Sequence, residues 1–213
     1  MTGIKEFTLR VLRYLFLPSA GRCPYCRKEM GNGCICEQCK KELDVRRLCF
    51  SDSADTVSVY RYDGVVRRAV MQLKFGNRRY LAEVMAKDMA FFVSQKADII
   101  TFVPMHTKRQ RARGYNQSEL IAEKLGSIVN VPVKGLLVKN KNTPQQSRIK
   151  NRDQRKKNVL GTFSAIKDAD IKGKNIVIID DVITSGITVA ECAKELGKLH
   201  PAKINVLSFA AAE

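Results

Sequence analysis

The chain has 213 residues and a mass of 24.0 kDa, enough for one domain with a small appendage. With 45% hydrophobic and 7% aromatic residues but only 13 Gly and 6 Pro, it falls outside the disordered, collagen-like and low-complexity classes, and no run approaches the ~18 apolar residues of a membrane span. Lys and Arg number 38 against 21 Asp and Glu, a net charge of +17 that predicts a polyanionic partner: nucleic acid, a phosphorylated small molecule or anionic lipid.

At the N-terminus, Ile4, Phe7, Val11 and Leu15 recur at helical spacing and predict a short amphipathic helix packed on the rest of the chain. Arg13 interrupts the apolar run there, which is too short for an export signal, so the cytoplasm is the expected compartment. Seven cysteines follow, five of them between positions 23 and 39. In a reducing compartment they are not expected to form disulfides. Cys23/Cys26 and Cys36/Cys39 are two CxxC pairs separated by the turn residues Gly31, Asn32 and Gly33. Each such turn sets two thiolates on one side of a tight loop, and two facing turns supply the four tetrahedral sulfurs of a structural Zn²⁺ with no open position. Cys34 leaves the second pair open, because Cys34 with Cys39 makes an alternative CxxxxC pair. Cys49 is expected to be a small apolar residue at the junction with the next domain. Residues 1–50 are therefore read as a helix and four-cysteine module, and 51–213 as a separate domain.

That domain opens with TVSVYRY, which alternates as a strand does. Asp63-Gly64 signals a turn or helix entry, and VVRRAVMQLKF is helical with Val66, Ala69, Val70 and Leu73 on one face. A second helix is predicted from Tyr80 to about Phe92. ADIITFVPM is a buried strand ending at Pro104, and YNQSELIAEKLGSIV is a helix. KNIVIID is a nearly continuous apolar run, as a strand buried on both faces requires. GITVAECAKELGKL is the next helix, and INVLSFAAA closes the chain as a strand. Strands alternating with helices predict an α/β, mostly parallel, doubly wound sheet.

The most informative segment is NIVIIDDVITSGIT, residues 175–188. An apolar strand delivers Asp180 and Asp181 at its C-terminal end, where ligands bind in open α/β sheets. Thr184, Ser185, Gly186, Ile187 and Thr188 follow immediately before a helix. Hydroxyls, a glycine and backbone amides at a helix N-terminus make an anion cradle. Acceptors for hydroxyl groups and, a few residues on, donors for a phosphate match a ribose 5-phosphate. Neither GxxxxGK[ST] nor GxGxxG is present.

This segment resembles the binding signature of the type I phosphoribosyltransferases, which bind phosphoribosyl pyrophosphate (PRPP). The resemblance assigns Asp180 and Asp181 to the ribose, as the catalytic pair, and Thr184, Ser185, Gly186, Ile187 and Thr188 to the 5-phosphate. Ile187 departs from the small residue usual in that loop, at a position where the backbone amide binds. The cysteine pairs, YDGVVRRAVMQLKFGNRRYLA, VPMHTKRQRARGYNQSELIA, TPQQSR, RKKNVLGTF and the signature, in that order, are similar to the ComF family of competence-associated proteins over nearly the whole chain. The implied fold is a type I phosphoribosyltransferase-like sheet with flanking helices, preceded by a small zinc module.

Residues 101–160 carry 14 Lys and Arg against three Asp and Glu, so the excess charge is concentrated just before the signature strand. The resemblance places pyrophosphate at His106, Lys108 and Arg109. SRIKNRDQRKKN is expected to be a loop closing over bound substrate, and Arg148, Arg152, Arg155, Lys156 and Lys157 within it are candidates for nucleic acid. Loss of pyrophosphate from the anomeric carbon builds positive charge on the sugar, and Mg²⁺ is expected to travel with the pyrophosphate. Aromatic residues are sparse along the basic segment, with Tyr115 and Phe163 the ones singled out, so base stacking is expected to add little. By resemblance the function is handling single-stranded DNA during competence, with PRPP as ligand and a DNA-uptake helicase as partner. The alternative is an active phosphoribosyltransferase of nucleotide metabolism or salvage, against which stands the absence of any added hood to read an acceptor.

Overall fold

The computed structural model describes residues 22–29, 35–43, 45–49, 55–141 and 159–212, with 45–49 as backbone only. The predicted N-terminal helix, Cys34, the Cys49 side chain and the basic stretch from Arg148 to Lys157 lie outside the described residues.

The apolar run at 175–183 forms the central strand β6, and the other strands assemble around it. β1 (Val45–Cys49), β2 (Asp55–Arg61), β3 (Ile99–Phe102), β6 (Asn175–Ile183) and β7 (Lys203–Ala211) make one sheet in the order β1-β2-β7-β6-β3. β2, β7, β6 and β3 run parallel, and β1, on the N-terminal side of residue 50, is an antiparallel edge strand. β4 (Leu137–Lys139) and β5 (Phe163–Ala165) form a separate antiparallel ribbon.

Six α-helices are described. They are α1 (Glu37–Glu42), α2 (Gly64–Phe75), α3 (Tyr80–Met89), α4 (Thr107–Arg113), α5 (Gln117–Val129) and α6 (Ile187–Gly197). α3 continues into a 3₁₀ turn at Ala90–Phe92. Val66, Ala69, Val70 and Leu73 form the core stripe of α2, as their spacing predicts. They pack with α3, α5 and the odd-numbered Val177 and Ile179 of β6. The even-numbered Ile176 and Ile178 face the opposite way, against α6 and the β4–β5 ribbon. Each fully buried aliphatic side chain contributes about 1.5–3 kcal/mol, so this two-faced burial fixes the register of β6.

Three elements escape the sequence patterns. α4 is a run of basic residues that reads as solvated loop. It is held by local capping instead: the His106 Nδ1 accepts from the Lys108 N–H at 3.2 Å, and Gly114 ends the helix at φ 86°. β1 and the three-residue strands of the ribbon are too short or too charged to show alternation.

The cysteine module packs directly on the domain. Cys23, Tyr25, Ile35 and Cys39 join the same core as α2, α3 and β2. The Tyr25 and Tyr60 hydroxyls both donate to the buried Asp88 Oδ2, at 2.5 and 2.8 Å, so one carboxylate of α3 ties the module to β2. Among the described residues no helix is long and apolar enough to cross a membrane.

Candidate functional site

β3 and β6 are adjacent and parallel, but their outgoing connections diverge. The chain leaves β3 for α5 on one face of the sheet and leaves β6 for α6 on the other. Such a switch point opens a crevice beyond the strands' C-terminal ends. A cleft of about 520 Å³ lies there, lined by the 103–106 turn, the N-terminus of α5, the 184–186 turn and one side of α2.

β6 continues beyond its last pairing with β3, at Phe102–Ile179, while still paired with β7. Asp180 and Asp181 stand in that overhang, inside the strand and not at its last residue. Both are buried, at 8% and 3% exposure. Asp180 accepts from the Ser118 hydroxyl at 3.0 Å and from the Asp181 N–H at 2.9 Å. Burial, then the neighbouring Asp181 charge, push the Asp180 carboxyl up to about 7. Asp181 Oδ2 is 2.6 Å from the Lys74 Nζ, and its Oδ1 accepts from Gln117 Nε2 at 3.4 Å. Burial lowers the proton affinity of Lys74, but the Asp181 carboxylate outweighs it and keeps the ammonium charged. Arg113 donates to Gln117 Oε1 at 2.5 Å. Asn116 caps α5 by accepting the Ser118 N–H at 3.1 Å and donates to the Val103 carbonyl at 3.0 Å. Those two contacts fix Gln117 and Ser118 toward the acidic pair.

The predicted phosphate cradle follows directly. Gly186 has φ 72°, a left-handed conformation that glycine adopts without strain, and it is the N-cap of α6. A Cβ added there meets nothing within 4 Å, so the space beside the backbone is open. Thr184, Ser185, Gly186 and Thr188 line the cleft, and the buried Ser185 Oγ has no hydrogen-bond partner among the described residues. Ile187 turns its side chain into the core below α6, leaving only its backbone near the turn.

Of the predicted pyrophosphate residues, His106 and Arg109 line the cleft, whereas Lys108 is exposed and outside the lining. Lys139, at the end of β4, lines the cleft as well. Burial and the nearby Arg109 charge both push its ammonium's pKa down. Two cations held close together in a cleft are relieved by an anion between them. Lys74, Gln117, Ser118 and Lys139 were not singled out in the sequence.

The second predicted centre is the cysteine cluster. The sulfurs of Cys23, Cys26, Cys36 and Cys39 all lie within 4.8 Å of one another, with Cys26 and Cys36 3.6 Å apart. A tetrahedral Zn²⁺ at ~2.3 Å from each sulfur needs sulfurs about 3.8 Å apart, so the cluster fits that ion. Cys36 caps α1, its sulfur accepting the Cys39 N–H at 3.4 Å. At Cys23 burial raises the thiol's pKa, but backbone N–H groups outweigh it and bring the value down to about 7. Burial and the neighbouring thiols push Cys39 upward. Four such thiols cannot all ionise unless a cation joins them.

The phosphoribosyl transferase domain family matches residues 115–212, from the start of α5 through β7. Competence protein F of Haemophilus influenzae is 26% identical over 215 residues, covering 93% of each chain. Competence protein ComFC of Bacillus subtilis is 26% identical over 215 residues, 91% of this chain and 86% of that one. DNA utilization protein YhgH of Salmonella typhimurium is 31% identical over 159 residues, 70% of this chain and 69% of that one.

Proposed function

Because the chain belongs to the ComF family, with a phosphoribosyltransferase-like domain, we propose that it binds PRPP in the cleft at β6 and holds single-stranded DNA with its surplus of positive charge. The setting is the uptake or use of DNA, as the names of its relatives suggest, with a DNA-uptake helicase as the expected partner. The observation that carries the reading is Asp180 of β6, lining the cleft beside an open cradle whose buried Ser185 hydroxyl has no partner among the described residues.

Asp180 and Asp181 accept the ribose hydroxyls. Backbone amides and hydroxyls of the 184–188 turn donate to the 5-phosphate. His106, Arg109 and Lys139 face the pyrophosphate end. Mg²⁺, carried with the pyrophosphate, supplies charge neutralisation there. Zn²⁺ at Cys23, Cys26, Cys36 and Cys39 holds the N-terminal module together and takes no part in chemistry. Among the described residues no element closes around an acceptor ring, which favours PRPP as a bound ligand over PRPP as a substrate.

Titration calorimetry tests this. PRPP should bind with Mg²⁺ present and weakly without it. Asp180→Asn and Asp181→Asn should each weaken binding by about 1–3 kcal/mol. Wild-type affinity in the double variant would move the site elsewhere, and steady pyrophosphate release with a nucleobase would replace the binding reading with a transferase.

A further inference from the structure

Helix α2 has two apolar faces, and only one is buried. Val66, Ala69, Val70 and Leu73 pack into the core. Arg67, Met71 and Phe75 follow one another at intervals of four along a second stripe, and all three line the cleft. Met71 is 40% exposed and Phe75 58%. The Arg113 guanidinium lies over the Phe75 ring, 5.0 Å from its centroid, and one of its nitrogens donates to Gln117 Oε1. The ring is thus backed by a fixed cation and leaves much of its surface to solvent. Arg67, Lys74 and Arg109 line the same cleft.

Two apolar side chains make too small a patch for a protein partner. A flat ring fenced by cations suits a flat ring attached to anions. Bases within a duplex are already stacked on each other, so such a platform takes an unpaired base. A free base would need its edges read by polar groups in a closed pocket, and this ring stands open. A strand passing the cleft supplies both the base and the phosphates that the flanking cations attract.

We propose that Phe75, backed by Arg113 and flanked by Met71, is the stacking platform for an unpaired base of single-stranded DNA at the mouth of the sugar-phosphate cleft. The inference rests on the DNA-binding reading above. It adds a stacking contact that the expectation drawn from Tyr115 and Phe163 did not include. Tyr115 and Phe163 themselves are buried at 6% and 2% and present no face to a base.

The chain contains no Trp, so Phe75→Trp introduces a single, selectively excitable tryptophan at the platform. Its emission should be quenched on adding single-stranded DNA. In fluorescence anisotropy, Phe75→Ala should weaken DNA binding about 5- to 150-fold. The slope of log affinity against log salt should stay unchanged, because the cations that meet the phosphates are all retained. Phe75→Trp should restore affinity. A strand of abasic sites should lose the same factor against wild type and nothing against Phe75→Ala. The position is mostly exposed, so both variants should melt close to wild type. Wild-type affinity in Phe75→Ala, or Phe75→Trp emission indifferent to DNA, overturns the platform while leaving salt-dependent DNA binding in place. Absence of salt-dependent binding by the wild type removes the DNA-binding reading and the platform with it. Quenching of Phe75→Trp by free nucleosides at the concentrations effective for a strand overturns the assignment to a strand.

Discussion

Replacing Lys74 by Met removes the only side-chain cation described within ion-pair distance of Asp181, at 2.6 Å. Asp181 is 4% exposed at its side chain and Lys74 21%, so the pair is largely withdrawn from water. Breaking a buried pair by deleting one partner costs about 3–5 kcal/mol, because the remaining charge is left uncompensated. The partial exposure of Lys74 puts the expectation near the low end, about 3 kcal/mol at pH 8. A chain of this size loses roughly 2–4 °C in Tm per kcal/mol. The cost should also depend on pH. Asp180 has its proton affinity raised from 3.8 to about 7 in the folded protein. Between those values the native state holds a proton that the unfolded chain has lost, so stability falls as pH rises through that window. Without Lys74 the acidic pair binds its proton more tightly still, and the fall extends above about pH 7. The destabilisation by Lys74→Met should therefore be small at about pH 5 and grow toward about pH 9. Urea denaturation of both proteins across that range reads it directly. A cost that is the same at both ends, or under about 1 kcal/mol at pH 8, would mean that Lys74 does not neutralise the pair.

Cys23→Ser or Cys39→Ser should release about one zinc per chain and loosen the module, whereas Cys34→Ser should retain the metal; elemental analysis with thermal melts distinguishes these outcomes. Zinc affinity should weaken as pH falls, since protons compete for the thiols. Neutralising Arg148, Arg152, Arg155, Lys156 and Lys157 together should lower the salt dependence of DNA binding by about 0.7 log units per log unit of salt for each phosphate no longer neutralised. An unchanged slope would place the strand on other cations.

What the sequence made legible was what neighbouring residues decide together. The apolar run before Asp180, the hydroxyl-glycine turn after it and the two CxxC spacings are local patterns, and β6, the α6 N-terminus and the four-sulfur cluster answer to them. Lys74, Gln117 and Ser118 were missed for the converse reason. Gln117 and Ser118 lie 64 and 62 residues before the carboxylates they touch, and no spacing rule reaches that far. Lys74 lay inside a helix already explained by its core stripe. The signal for its neighbour Phe75 was present: Met71 and Phe75 are apolar yet sit off that stripe, and an amphipathic helix needs only one apolar face. α4 was hidden by its charge, because capping by His106 and Gly114 leaves no hydrophobic period to read.

Adjacent residues of a strand project to opposite faces, so Asp180 and Asp181 meet different chemistry although they are neighbours in sequence. Asp181 faces an ammonium and stays in place as a fixed, compensated charge. Asp180 has no such ion-pair partner among the described residues; it is held by a hydroxyl and a backbone N–H, and burial lifts its proton affinity to the neutral range. Near neutral pH it therefore exists both as a carboxylate, which accepts hydrogen bonds, and as an acid, which also donates one. A vicinal diol offers one donor and two acceptor lone pairs at each oxygen. Asp180 can adjust its proton to whichever direction a bound hydroxyl prefers. On the PRPP-binding reading proposed above, Asp180, the member of the pair that lines the cleft, is therefore the adaptable partner for a ribose hydroxyl.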